Sequence, residues 1–348
     1  MNRLTKITGL PALLTAAAVL PVNAEVAIND YLSVDGYAAA TAAFTKASPG
    51  SGLSNSGRDY SLFDSEQANM DAVLLGINGK YRLLGGRVSL LYVPDNAHSH
   101  GHEAGILDAY VSISRESPTG VGFSVKGGKF LSNFGYESFY ANQMNQISYG
   151  LITGIPGYAT GIDANVTIKD KVTIGASITD SLYSGNRGFY AGDADVHNLG
   201  YMLYLKWKIS DRTQFFAGIG YDTKNDSTEV KDEFVFDAWL SHQVTPDLEI
   251  AGELTYSENE ASKSGVFSWL AFAKYTFPGL ARKASAIARL SGAHHDDDLD
   301  FVQFSVGPEY AFTQNFRIRG EFSWIHASGD NRTFKNGYAL GVQAIFQF

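Results

Sequence analysis

From Tyr31 onward, apolar and polar residues alternate with a period of two in segments of about ten residues. Successive strand side chains point to opposite faces, so each segment reads as a strand with one apolar face and one small or polar face. The last segment shows the pattern well. Tyr338, Leu340, Val342, Ala344, Phe346 and Phe348 share one parity, while Gly337, Ala339, Gly341, Gln343 and Gln347 share the other, with Ile345 as the exception. Ile162, Ala164, Val166 and Ile168 are answered across Asp170-Lys171 by Val172, Ile174, Ala176 and Ile178, which predicts a hairpin with a very short turn. The same pattern places sixteen strands, at 30–45, 70–81, 86–94, 104–114, 121–131, 159–169, 172–182, 198–209, 214–223, 232–243, 248–257, 264–277, 284–293, 301–312, 316–326 and 336–348.

The connections alternate as well. Those near 46–69, 95–103, 132–158, 183–197, 224–231, 258–263, 294–300 and 327–335 are nearly all longer than the turns between them. Short periplasmic turns alternating with longer outer loops, and strands of a length that crosses a bilayer at a tilt, predict an all-β transmembrane antiparallel barrel of about 16 strands. Its apolar parity would face lipid and its polar parity a lumen wide enough for water. Trp207, Phe215, Phe277, Phe312, Phe316, Phe346 and Phe348 fall near turn ends, and Tyr221, Phe234, Tyr256, Trp269, Trp324 and Tyr338 near loop ends, as two aromatic girdles. Two residues fit badly. Pro308 inside a strand suggests a bulge, and Lys129 has lipid-facing parity unless Gly127-Gly128 bulges to turn it inward.

Composition adds targeting and charge. Arg3 and Lys6, an apolar run from Leu10 to Leu20 and the small residues ending at Ala24 read as a signal peptide, 1–24, with the barrel occupying 25–348. The run falls short of the roughly 20 residues of a helical span. Removing it leaves 25 basic residues (27 less Arg3 and Lys6) against 36 acidic ones, a net charge of −11 that disfavours nucleic acid. The chain has no cysteine, hence no disulfide framework or thiolate metal site. Thirty-six Gly, 19 Tyr and 22 Phe, with mean hydropathy of −0.10, suit a wall that is apolar only on its outside.

The aromatic Phe346 and Phe348 resemble the C-terminal signal read by the barrel assembly machinery of Gram-negative-type envelopes, which implies that machinery and outer-membrane lipid as partners. Gly128-Lys129-Phe130, Gly135-Tyr136-Glu137-Ser138, Asn142, Asn145, Ser148-Tyr149, Pro156 and Thr160-Gly161 resemble the OmpL-like β-barrel porin family over about a tenth of the chain. Many members carry Arg where Tyr149 stands. The resemblance implies an outer-membrane porin, and general porins fold their third outer loop inward to narrow the channel.

The residues point to the same loop. Residues 132–158 form the longest connection, rich in amides and tyrosines that could line a constriction; Tyr136, Glu137, Tyr140, Asn142 and Asn145 are its candidates, against the plainer reading of a surface loop. Inward parity assigns Lys126, Lys206, Lys208, Lys274, Arg289, Arg317 and Arg319 to the lumen, with Asp108, Asp163, Glu233, Asp237, Glu249, Glu253, Glu309 and Glu321. Basic and acidic walls would set a transverse field, unless the charges simply pair across the wall. The expected eyelet has Glu137, Tyr136, Asn142 and Asn145 meeting Lys126 and the basic residues opposite. His98, His100 and His102 with Glu103, and His294-His295 with the aspartates that follow, are metal candidates weaker than solvated loop tips. His242, His197 and His326 lack a spacing that ties them to a nucleophile, so a barrel enzyme of lipase or protease type is a rival class, and an adhesin or structural barrel another. The reading is passive diffusion of small hydrophilic solutes, without cofactor; solute, selectivity sign and monomer against homotrimer stay open.

Overall fold

The computed structural model describes residues 25–47, 66–93, 103–152, 154–182, 199–222, 233–258, 265–296, 299–329 and 336–348, with side chains from 45 to 47, 66 to 71 and 103 left aside. The leader around Ala24 and the histidines at 98, 100 and 102 lie outside these residues.

A two-residue strand β1 (Val26–Ala27) precedes sixteen long ones. These are β2 (Leu32–Ala47), β3 (Glu66–Tyr81), β4 (Leu84–Val93), β5 (Glu103–Glu116), β6 (Val121–Leu131), β7 (Tyr158–Ile168), β8 (Val172–Thr179) and β9 (Gly200–Ser210). They continue as β10 (Thr213–Asp222), β11 (Glu233–Thr245), β12 (Leu248–Glu258), β13 (Gly265–Thr276), β14 (Ala284–His295), β15 (Leu299–Ala311), β16 (Phe316–Ser328) and β17 (Asn336–Gln347). Every long strand pairs antiparallel with its neighbours in sequence. β17 pairs back onto β2, with Val342 opposite Ala42, and so closes the ring. Closure removes the unpaired edges a bilayer would not tolerate. Gly36 and Phe348 exchange backbone hydrogen bonds of 2.9 and 3.0 Å at this seam.

The alternation is realised as expected. Leu203, Ile219, Leu240, Leu254, Leu290 and Leu340 are exposed on the outside. The aromatic residues at turn ends touch one another, Tyr275 with Phe277 at 5.1 Å and Tyr310 with Phe312 at 4.9 Å between ring centres. The β7–β8 turn is centred one residue earlier than Asp170-Lys171. Lys169 and Asp170 take φ of 49° and 52°, and Lys171 N donates to Ile168 O at 3.0 Å, the mirror-image turn whose twist matches a hairpin.

Two local expectations change. Pro308 causes no bulge, because Val306 still faces Phe322 and Glu309 still faces Arg319 in one register. Pairing lapses only across Gly307-Pro308, where Gly307 lies so close to the Gly320 carbonyl that a Cβ would overlap it. Lys129 is not turned inward, since β6 keeps its register with both neighbours. The bulge is instead in β5, where Leu107 and Asp108 both lie between the residues paired with Val88 and Leu90. Lys129 stays on the outer side and its ammonium donates to Ile106 O, just before that bulge, at 2.9 Å.

Candidate functional site

The connection between β6 and β7 runs inside the barrel. Apolar residues at lumen parity provide its bed. Phe134 packs on Phe216, which stacks on Trp239 at 5.7 Å, and Tyr136 meets both Trp239 and Phe272. Gly218 leaves the space that the Phe134 ring fills, since a Cβ there would come within 2.8 Å of it. Further on, Tyr140 and Ala141 pack on a cluster holding Tyr37, Leu107 and Ile345. The exception in the last strand is therefore the side chain that receives the loop. Leu151 is buried with Val266, Phe301 and Ile325 on the returning leg.

Polar groups of the wall then bind the loop backbone, which carries donors and acceptors that cannot be left bare. Gly135 N donates to Asp237 at 2.7 Å and Tyr136 N to Glu253 at 2.8 Å. Ile147 N and Ser148 N donate to Glu321 at 2.5 and 3.0 Å. Arg319 donates to Met144 O at 2.5 Å and also to Ala141 O, and Arg317 donates to Asn142 O. Arg289 donates to Glu137 Oε1 at 2.5 Å and to Ser148 O at 2.7 Å, while Gly150 N donates to the other Glu137 oxygen at 2.6 Å. Lys274 reaches Asn145 at 3.1 Å and Tyr136 OH reaches Glu249 at 3.2 Å. Tyr140 OH donates to Asp108 at 2.9 Å; burial first, then that carboxylate, raise the phenol's pKa, so it remains a donor at neutral pH.

The sequence-derived residues thus divide. Arg289, Arg319, Asp237 and Glu253 are at most 2 % exposed and Glu321 4 %, so they hold the loop rather than face a water-filled passage. Arg317, Glu233 and Asp163 are buried as well. Lys126, Lys206, Lys208, Glu249 and Lys274 keep part of their surface open. The expected meeting of Glu137 with Lys126 does not occur. Glu137 is taken by Arg289, and Lys126 sits 4.0 Å from Asp163 and 4.3 Å from the centre of the Phe130 ring. Among the other basic lumen residues, Arg289 meets Glu137 and Lys274 meets Asn145, while Arg317 and Arg319 are turned to the loop backbone. Sequence reading missed the inward Phe216, Trp239, Phe272 and Ile325 as the loop's bed. Their signal was present as large apolar residues at lumen parity, which only a packed interior explains. Among the described residues no cluster of three metal-ligating side chains forms; His294 bonds Asp300 at 2.6 Å, and His242 bonds Thr213 at 2.9 Å.

A closed sixteen-stranded barrel with a lipid-facing apolar exterior and one loop folded into a polar interior has the build of an outer-membrane porin. Residues 31–348 match the family model described as "Putative beta-barrel porin-2, OmpL-like", and the chain belongs to that family. It is accordingly a porin that lets small hydrophilic solutes diffuse passively through the barrel. Among solved structures it is similar to the outer membrane channel DcaP of Acinetobacter baumannii, with a TM-score of 0.66 at 12 % identity over 91 % of this chain and 97 % of that one. It also resembles OprB of Pseudomonas putida, with a TM-score of 0.64 at 11 % identity over 92 % and 94 % of the two chains. Salmonella typhi OmpF in complex with daunomycin gives a TM-score of 0.66 at 12 % identity over 93 % and 100 %. At such identities the likeness concerns the fold. The comparison with curated proteins finds no match.

Proposed function

We propose that the connection between β6 and β7 is the constriction of the pore, and that Tyr136, Glu137, Tyr140, Asn142 and Asn145 set its width through the shape they impose on that loop. The carrying observation is that wall groups from β5 to β16 bond this one segment, Asp108 at one side and Glu321 at the other. A loop held from so many strands narrows the lumen at a fixed height, and size exclusion follows from a fixed aperture. Lys126, Lys206, Lys208, Glu249 and Lys274 line the passage, while the more deeply buried charges act as anchors. In this reading the barrel performs no bond chemistry and needs no cofactor. It works in the outer membrane after loss of the leader near Ala24, and it assembles as a homotrimer; in-vitro folded OmpT of Vibrio cholerae, a similar fold, is known in a trimer form.

Single-channel conductance of the refolded protein in a planar bilayer tests this. A stable ohmic current that rises when the loop is shortened supports the reading. A folded barrel whose current ignores that shortening removes the loop from the constriction.

A further inference from the structure

Around the lumen the charged side chains are unevenly distributed in sign. Asp35 and Asp108 flank Arg87, at 2.5 and 3.2 Å, and Glu309 lies between Lys274 and Arg317 at 3.8 and 3.7 Å. The first group carries one surplus negative charge, and Glu249, which also interacts with Lys274, evens the second. The wall from β6 to β9 is short of carboxylates instead, because Lys126 and Lys206 share Asp163, while Asp108, which also acts on Lys126, is bonded by Arg87 and Tyr140. Asp163 is already occupied. It accepts from Ser177 at 2.7 Å and from the Tyr204 hydroxyl at 3.1 Å, and is 2 % exposed. The tyrosine reaches it because Gly175, between them, has no side chain where the ring passes.

Lys206 donates to Asn133 Oδ1 at 2.7 Å, and Asn133 bridges on to Asp163 at 3.4 Å. Lys126 is different. Its side chain is 22 % exposed, its carboxylate partner at 4.0 Å is beyond hydrogen-bond range, and among the described residues its ammonium makes no hydrogen bond. An ammonium that meets aromatic rings but no hydrogen-bond acceptor, next to a second ammonium and facing the lumen, is suited to an anion.

We propose that Lys126 and Lys206, held by Asp163 and Asn133 beside the root of the inward loop, form a subsite for the oxyanion group of a small solute, and that the pore therefore prefers anions although the whole chain is acidic. This rests on the pore reading above. The acidic surplus is no objection, since Asp237, Glu253 and Glu321 face the loop backbone and not the passage. A permeating carboxylate or phosphate group would take the donors of Lys126 and leave by exchange with the next anion, as weak sites in a conducting pore allow.

The test is the reversal potential of the refolded protein under a potassium chloride gradient, followed by the loss of chloride current on adding inorganic phosphate. The wild type is expected to select chloride over potassium and to lose current with phosphate. Lys126→Gln with Lys206→Gln should shift the reversal potential toward cations and raise the phosphate needed by roughly tenfold, about the worth of one charge-assisted hydrogen bond. Lys208→Gln, whose lysine pairs with Asp211 at 2.9 Å by the turn, should change phosphate sensitivity much less. Cation selectivity in the wild type, or equal relief of phosphate block by Lys208→Gln, would overturn the subsite while leaving the porin intact. Absence of any conductance would overturn both readings. Should the glutamine variants not fold, the sign and phosphate sensitivity of the wild type decide alone.

Discussion

Arg289 has a fully buried guanidinium that reaches Glu137 and both the carbonyl and the hydroxyl of Ser148, so one wall residue fixes two places in the loop. A buried pair is costly to break from one side, by about 3–5 kcal/mol where the remaining charge stays buried. Glu137 is 13 % exposed, which places Arg289→Met toward the lower end. The expected result is a lower denaturation midpoint and a flickering channel current, and an unchanged, quiet current would show that the pair does not hold the loop. Glu137→Gln should act in the same direction but less, because Gly150 N can still donate to the amide oxygen. Of these partners the sequence displayed only the types. Parity put Arg289 inside, but no spacing could say that it would choose Glu137 across 152 positions. Lys129 makes the same point from outside. Its lipid-facing parity was plain, whereas the carbonyl that receives it lies in the neighbouring strand beside a bulge that no motif announced.

Among the elements, the strands were legible because each repeats one rule over ten or so residues, and a slip of one position would send a whole apolar face into the lumen. Their ends were less so: β3 begins at Glu66 and β8 ends at Thr179, since the limit of pairing depends on the partner strand. β15 and β16 supply a test of close strand contact. Gly307→Ala would drive a methyl into the Gly320 carbonyl, and overpacking of this kind costs about 1–3 kcal/mol. Urea or heat-modifiability midpoints should fall, and Gly279→Ala, where nothing lies within 4 Å, should leave them in place. The loop between β6 and β7 is the element least readable from its own residues. Its amides and tyrosines suit a surface as well as a lumen. What distinguishes it is the wall's answering set, with Phe134 matched to Gly218 and Ile345 to Tyr140.

At the scale of the whole molecule, the ring depends on β17 meeting β2. Removing 336–348 leaves β16 and β2 each with one unpaired edge, and an open barrel edge is not sustained in hydrocarbon. Such a chain is expected to lack the compact, heat-modifiable form on gels; a compact form of unchanged mobility would show that closure lies elsewhere. A loop shortened within 139–146 should instead keep the compact form, because those residues belong to no strand, and should raise conductance. The two deletions separate what closes the barrel from what narrows it.

The sequence by itself determined the strand number, the face each side chain takes and the order of turns and loops, because period-two alternation and connection length are local properties of the chain. It also marked the loop that would matter, by length and by family motif. The tertiary structure alone decided which lumen charges remain available to solutes. Asp237, Glu253, Arg289 and Arg319 have the same parity as Lys126, yet they are consumed by the loop and Lys126 is not. That difference arises from contacts between residues a hundred or more positions apart, where burial and pairing, and not parity, fix the charge a solute meets.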